Sequence, residues 1–262
     1  VLGDGTQSTV VYRGSYGAKP VAVKVMRKSD DTAHQTAAKE IEVLQLLAKS
    51  GGCEQVIELI AVRRTAKDIQ LVLQLCDCTL EDAVQKDTPS LRPLQRLHLL
   101  QQVATGLNFL HSHSPVIVHN DLRPVNILHQ ASWDASCPWS AKIADFGLSR
   151  VLDGRDQQST EELNPFGAGG WYAPDILHGD RTFAPTPKVD VFSFGCCVFY
   201  LLTGGQHPFD PPNKDNSASH DTLTRTNNVF MGRSSMVALN TCLDQNGSSN
   251  TEGHLMGWPE AE

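Results

Sequence analysis

Asp121 stands five residues before Asn126, in the run His119-Asn120-Asp121-Leu122-Arg123-Pro124-Val125-Asn126, and Asp145-Phe146-Gly147 follows 19 residues after Asn126. This spacing constrains the chain more than any other feature. An acid that can take a hydroxyl proton must be held near an amide and a second acid, whose oxygens suit a hard divalent cation. That set suits phosphoryl transfer from a metal-bound nucleotide, with Asp121 able to act as base and Asn126 and Asp145 as metal ligands. The fold must therefore bring a loop at 119–126 and a turn at 145–147 to one place.

Hydrophobic patterning divides the chain near residue 75. Thr9–Arg13 and Pro20–Met26 read as strands joined by a turn at Gly14–Gly17. Asp30 or Asp31 starts a helix that Gly51-Gly52 ends near Ser50, with Ile41, Leu44, Leu47 and Ala48 on one face. Gln55–Val62 and Asp68–Leu75 read as further strands. Beyond Cys78 the period becomes helical: Thr79–Lys86, then Leu94–His111 with Leu97, Leu100, Val103, Ala104, Leu107 and Leu110 as its stripe. Val116–Val118 reads as a short buried strand, and Ile127–His129 with Lys142–Ala144 as a small hairpin. The intervening Gln130–Ser140 is longer than a tight turn and reads as an exposed insert. Val189–Leu202 is the most apolar stretch, too short to span a bilayer and carrying Asp190, so a buried helix is expected. Residues 211–262, rich in polar residues, show no strong helical stripe.

The bulk numbers set outer bounds. The chain has 262 residues, 40% of them hydrophobic, enough for one two-lobed domain. A net charge of −7 opposes nucleic-acid binding by bulk charge. Seven cysteines without clear metal spacing read as reduced thiols of a cytosolic domain. No signal peptide is visible, and Val1-Leu2-Gly3 already belongs to a motif. The chain thus reads as an excised domain or fragment.

Other motifs fall in order around the central one. Gly3-Asp4-Gly5-Thr6-Gln7-Ser8-Thr9-Val10 is a glycine-rich stretch whose backbone can approach phosphate oxygens, though taken alone it could be a plain turn. Val21-Ala22-Val23-Lys24 ends a strand on a lysine, and Glu40 or Glu42 on the following helix could pair with it. Gly167-Ala168-Gly169-Gly170-Trp171-Tyr172-Ala173-Pro174-Asp175, Asp190-Val191-Phe192-Ser193-Phe194-Gly195 and Gly205-Gln206-His207-Pro208-Phe209 complete the series.

Seven motifs in this order resemble a protein kinase domain. The resemblance implies an α+β bilobal fold: an N-lobe over 1–75 with a small antiparallel sheet and one helix, a mainly helical C-lobe over 76–210, and a divergent or truncated tail over 211–262. It implies Mg-ATP as the phosphoryl source and a protein as acceptor. Catalysis would fall to Lys24, Glu40, Asp121, Arg123 and Asn126. Leu2, Gly3, Gly5, Ser8, Val10, Ala22, Lys24, Leu73, Gln74, Cys76, Leu128 and Asp145 would bind the nucleotide. Within that set Val10 and Ala22 would be the roof, Leu128 the floor, Leu73 the gatekeeper, and the Gln74 and Cys76 backbone the hinge. Asn126 and Asp145 would hold Mg²⁺. His119 would stack under Phe146, and Ser159 and Thr160 would be autophosphorylated. Pro124 fits the serine/threonine pattern.

Gln74–Leu80, Gly169–Pro174, Val189–Cys196, Gly205–Phe209 and Arg225–Val229 resemble the cytosolic kinase of the inositol-requiring enzyme family. That family comprises endoplasmic-reticulum stress sensors of the unfolded protein response, which also carry an endoribonuclease. This implies a homodimer that phosphorylates itself in trans, at the cytosolic face of that membrane. No lumenal domain, membrane segment or ribonuclease domain is seen in this sequence. Four departures bear on activity. Asn120 replaces the arginine that reads a phosphorylated activation loop. Arg123 replaces lysine, Ala168 replaces threonine, and no Arg-Pro near the end is available to anchor Asp175. Two readings stay open: an active serine/threonine kinase, and a nucleotide-binding pseudokinase that acts as a scaffold or allosteric module.

Overall fold

The computed structural model describes residues 2–4, 9–28, 31–86, 91, 93–131, 139–153, 170–178, 185–210 and 222–230. Ser159, Thr160, Gly5, Ser8 and Ala168 lie outside them, as does most of the 211–262 tail.

The stretch up to Gln74 builds an antiparallel sheet. Its strands are β1 (Gly3–Asp4), β2 (Thr9–Tyr16), β3 (Lys19–Arg27), β4 (Leu59–Arg64) and β5 (Asp68–Gln74), in the order β1-β2-β3-β5-β4. The expected turn at Gly14–Gly17 is corrected: pairing runs to Tyr16↔Lys19, so the turn is Gly17-Ala18, with Gly17 at φ 61°. Gly14 stays in the ladder opposite Val21. β4 also starts later than its apolar run suggests. Val56 forms a parallel bridge with Ile143 instead, and the Ile57 N–H donates to the Ile143 carbonyl at 2.9 Å, so this stretch ties the sheet unit to the helical unit.

Helix α1 (Asp31–Lys49) lies against this sheet. Asp31 in its first turn and Lys49 in its last complement the helix dipole. Ala37, Ile41, Leu44 and Leu47 recur at helical spacing and are buried, and Gly51 and Gly52 at positive φ end the helix. The same face buries Glu40.

The part after Gln74 is mainly helical, as expected of an α+β bilobal kinase fold. β6 (Cys78–Thr79) leads into α2 (Leu80–Gln85), and α3 (Pro93–His111) follows. Thr79 caps α2: its Oγ1 accepts from the Asp82 N–H at 3.0 Å, and the Asp82 carboxylate takes the Thr79 N–H in return. In α3 the inward stripe is Leu99, Leu100, Val103, Gly106, Leu107 and Leu110; Leu97, at 54% exposure, and Ala104 face out, which corrects the expected stripe. Gly106 belongs to it because a Cβ there would meet Ile143 at 2.8 Å.

The remaining strands are β7 (Val116–Val118), β8 (Ile127–Ala131), β9 (Trp139–Ile143) and β10 (Arg150–Leu152), pairing as β7-β10 and β6-β8-β9. Then come α4 (Pro174–His178), α5 (Pro187–Leu202) and α6 (Thr222–Phe230). Pro187 opens α5, where the missing N–H costs nothing. Helix α6 corrects the reading of the tail as lacking helical pattern: Arg225, Thr226 and Val229 lie buried on it. None of the described helices is long and apolar enough to cross a membrane. The described cysteines are all free thiols.

Candidate functional site

The catalytic-loop stretch is held from below by one carboxylate. Asp190, in the first turn of α5, is fully buried. Its Oδ2 accepts from the His119 N–H at 2.8 Å, and its Oδ1 accepts from the Asn120 N–H at 2.9 Å. His111 Nε2 lies 2.8 Å from the same carboxylate. These bonds support Asn120 at φ 64°, a left-handed backbone that asparagine tolerates better than most residues. Its side chain donates to the Leu148 carbonyl at 3.1 Å. Position 120 thus ties the loop to the segment after Asp145 without a cation.

The loop then presents Asp121. Asn126 Nδ2 donates to the Asp121 carbonyl at 2.8 Å and to Asp121 Oδ2 at 2.9 Å. This spends the amide's donors and leaves Asn126 Oδ1 as an acceptor. Burial, opposed by Arg123, pushes the Asp121 carboxyl up to about 6. His119 meets Phe146 edge-on, with ring centroids 5.0 Å apart, and its Nε2 lies 3.0 Å from the Ala144 carbonyl.

Asp145 adopts φ 65° before a single 3₁₀ turn, Phe146–Leu148. Such a conformation costs about 1–3 kcal/mol in a non-glycine residue, and it is found where a side chain must be aimed. Lys24 Nζ donates to Asp145 Oδ1 at 2.8 Å and to Glu40 Oε2 at 2.6 Å. Burial alone would lower the Lys24 ammonium, but Asp145 and then Glu40 outweigh it and hold it above the ordinary lysine value. Burial also disfavours an ionised Asp145, yet Lys24 keeps that carboxyl below its usual range. Burial raises the Glu40 carboxyl, with Lys24 opposing. Glu42, the alternative partner for Lys24, is exposed on the other side of α1.

These groups surround one cavity of about 340 Å³, within the range of small-molecule sites. Leu2, Ala22, Lys24, Glu40, Leu73, Gln74, Cys76, Asn126, Leu128 and Asp145 line it, as does Ile57, which sequence reasoning left out. Val10 does not, and this corrects the expected roof: Val11 pairs with Lys24 and lines the cavity, whereas Val10 pairs with Val25 and faces the other way. Side chains alternate along a strand, so a shift of one residue exchanges the faces. Only the register with β3 distinguishes two adjacent valines. Gly3 is opposite Val11 on β1.

At the back edge, the Gln74 N–H already donates to the Glu58 carbonyl at 3.0 Å, which leaves its carbonyl for a ligand. Burial pushes the Cys76 thiol up to about 11, so it is protonated and a poor nucleophile at neutral pH. Asp82 and Lys86 at the mouth were also missed; their only signal was the spacing of four residues on α2 and its end, where they pair at 2.9 Å.

The donor set fits a magnesium nucleotide. The free Asn126 Oδ1 and the Asp145 carboxylate are hard oxygen ligands, Lys24 is a fixed cation beside them, and the rest of the wall is largely apolar. Arg123, at the start of the 3₁₀ turn Pro124–Asn126, lies close enough to Asp121 to lower its carboxyl against burial.

Contact between α1 and the Phe146–Leu148 turn sets the Lys24–Glu40 geometry. A Cβ on Gly147 would come 2.2 Å from Thr36 Cγ2, one turn before Glu40. Gly147→Ala is therefore expected to push α1 away, costing about 1–3 kcal/mol through overpacking. Nucleotide affinity should fall about tenfold, because 1.4 kcal/mol is a factor of ten. Adding Thr36→Ala, which removes the obstructing methyl, should recover most of it; titration calorimetry with ATP on both variants checks this.

Comparison with known proteins agrees with the geometry. The family profile described as "Protein kinase domain" matches residues 1–250. The "Serine/threonine-protein kinase/endoribonuclease IRE1" of Oryza sativa subsp. japonica is 34% identical over 79% of this chain and 24% of its own length. The "Serine/threonine-protein kinase/endoribonuclease IRE2" of Homo sapiens is 33% identical over 88% of this chain and 23% of its own. The "Sensor for unfolded proteins in the ER ire1" of Schizosaccharomyces pombe is 31% identical over 80% and 21%. The chain thus spans less than a quarter of the length of these relatives.

Proposed function

Since this chain belongs to the protein kinase family, with serine/threonine kinases among its relatives, we propose that it transfers the γ-phosphoryl group of Mg-ATP to serine or threonine hydroxyls of proteins, its own included. The carrying observation is that Lys24, Glu40 and Asp145, linked at 2.6 and 2.8 Å, line one cavity together with Asn126, which holds Asp121 beside it at 2.9 Å. Bound Mg-ATP would supply the phosphoryl group and the metal charge. Asn126 and Asp145 would hold Mg²⁺, Lys24 would bind the phosphates, and the Gln74 carbonyl with the Cys76 backbone would orient the base. Asp121 would orient the acceptor hydroxyl and take its proton. Arg123 would place a positive charge beside the transferred group with a wider, planar head than lysine has. Ser159 and Thr160 are the acceptors in self-phosphorylation, which would take place in trans within a homodimer. Similarity to the Schizosaccharomyces pombe sensor for unfolded proteins supports a place at the cytosolic face of the endoplasmic reticulum, as the kinase part of a longer protein.

The test is radiolabelled-ATP transfer with Mg²⁺ on the purified chain, with Lys24→Met alongside. Label mapping to Ser159 or Thr160 is expected on the wild type, and a loss of at least a hundredfold in the variant, because the phosphates lose their fixed cation. Absence of label together with Mg²⁺-dependent ATP binding would replace this proposal with that of a nucleotide-binding pseudokinase. Asn120, where an activation-loop reader is usual, is the observation behind that second reading.

A further inference from the structure

Asp175 is exposed and makes no salt bridge among the described residues, so the carboxylate that ends the activation segment anchors nothing there. A different ion pair lies next to that segment. Arg225 on α6 pairs with Asp210 through both Nε and Nη2, and the two residues are each 8% exposed. Asp210 also closes the turn before it: its Oδ2 accepts from the His207 N–H at 3.1 Å, and its own N–H donates to the His207 carbonyl at 3.0 Å. Asn228 Nδ2 donates to the Phe209 carbonyl at 2.9 Å, a second tie between α6 and this loop.

The seat so formed is occupied by the segment end. Gly170, at φ 87°, lies so close that a Cβ there would come 2.7 Å from Arg225 Cβ and 3.5 Å from His207 Cε1. Trp171 meets His207 edge-on at 4.5 Å and Tyr200 at 5.7 Å. On its other side the segment rests on the α5 turn that fixes the catalytic loop. Ser193 Oγ donates to the Trp171 carbonyl at 2.8 Å, and Ala173 packs with Val118 and Val189, the neighbours of His119 and Asp190. Tyr172 between them is buried, and after burial the nearest cause holding its phenol above the ordinary value is the charge of Asp121. The stretch 170–173 is thus clamped between α6 and α5, beside the base and away from the nucleotide cavity.

We propose that Asp210 and Arg225 are positioning residues for the acceptor protein: by holding α6 and the 207–210 turn under Gly170, they fix the Trp171–Ala173 ledge beside Asp121 against which an acceptor segment lies. The inference rests on the kinase reading for its substrate and on this geometry for its mechanism. A bidentate guanidinium–carboxylate pair suits the task because it fixes orientation as well as distance.

The test is steady-state transfer to dephosphorylated casein by the whole chain, with amide hydrogen exchange on the same proteins. Arg225→Ala is expected to raise KM for casein at least tenfold, to leave KM for ATP within twofold, and to speed exchange at Trp171 and Tyr172 at least tenfold. Arg225→Lys, which keeps the charge but not the fork, should fall between. Gly170→Ala, which presses a methyl group against Arg225 but keeps both charged side chains, should reproduce the casein effect if Arg225→Ala does not fold. Equal changes in both KM values, or unchanged exchange at Trp171 and Tyr172, would overturn the proposal. A wild type that labels neither casein nor itself would defeat the kinase reading instead, and the exchange rates would still decide whether the pair positions the ledge.

Discussion

Asp121→Asn is expected to reduce phosphoryl transfer by about 10²–10⁴-fold while leaving ATP affinity within a factor of two, because a positioned general base contributes that much and Asp121 lies outside the residues lining the nucleotide cavity. Asparagine keeps the shape but cannot accept the proton of the acceptor hydroxyl. The pH dependence gives a second signature. Burial raises the Asp121 carboxyl to about 6, where a solvated aspartate would titrate near 4. The base form is the ionised one. Transfer should therefore be full above pH 7, half-maximal near 6, and fall about tenfold per unit below that, whereas residual transfer by Asp121→Asn should lack this limb. Single-turnover rates from pH 5 to 8 check both points. A midpoint near 4, or a variant as fast as the wild type, would remove Asp121 from the role of base.

Asp190→Ala should have the largest effect on the fold. The wild-type carboxylate is fully buried and satisfies the His119 and Asn120 N–H groups at 2.8 and 2.9 Å, with His111 Nε2 also 2.8 Å away. Alanine leaves those donors buried without an acceptor and releases Asn120 from its left-handed backbone. Removing one partner of a buried charged network costs about 3–5 kcal/mol, a large part of the stability of an ordinary domain. The urea midpoint should fall sharply, and ATP binding should weaken with it, since Asn126 hangs from the same loop. Asp190→Asn retains one acceptor oxygen and should lose about half as much. A midpoint unchanged in Asp190→Ala would mean that water or another group can replace the carboxylate.

The two variants separate what each part of this site depends on. As the proposed base, Asp121 would act through a proton and would tolerate an isosteric change in structure but not in chemistry. Asp190 acts through geometry, and its chemistry never reaches a substrate. Gly147 belongs with Asp190: its contribution is the space into which Thr36 fits, and through that space the approach of α1 to Lys24.

Much of this was legible in the sequence. The order of motifs carried the resemblance to a protein kinase and with it the expected α+β bilobal fold, while the change from strand-like to helical patterning near residue 75 marked where strands give way to helices, because apolar periodicity follows directly from which face is buried. The spacing of Asp121, Asn126 and Asp145 places three oxygen-bearing side chains on two adjacent connections. What stayed hidden depended on register and on long-range packing. Val10 and Val11 are chemically alike, and only the pairing of Val11 with Lys24 turns one of them to the cavity. The choice of Glu40 over Glu42 follows from which face of α1 meets the sheet. The Asp210–Arg225 pair spans 15 residues of polar sequence with no period of its own. Local periodicity determined the strand-rich and helical stretches, and the motifs, through their resemblance to a known family, determined the expected lobes and the chemical groups. The tertiary structure alone decided which neighbouring side chains face inward and which charges meet, because a one-residue shift or a distant helix changes those contacts without altering any local pattern.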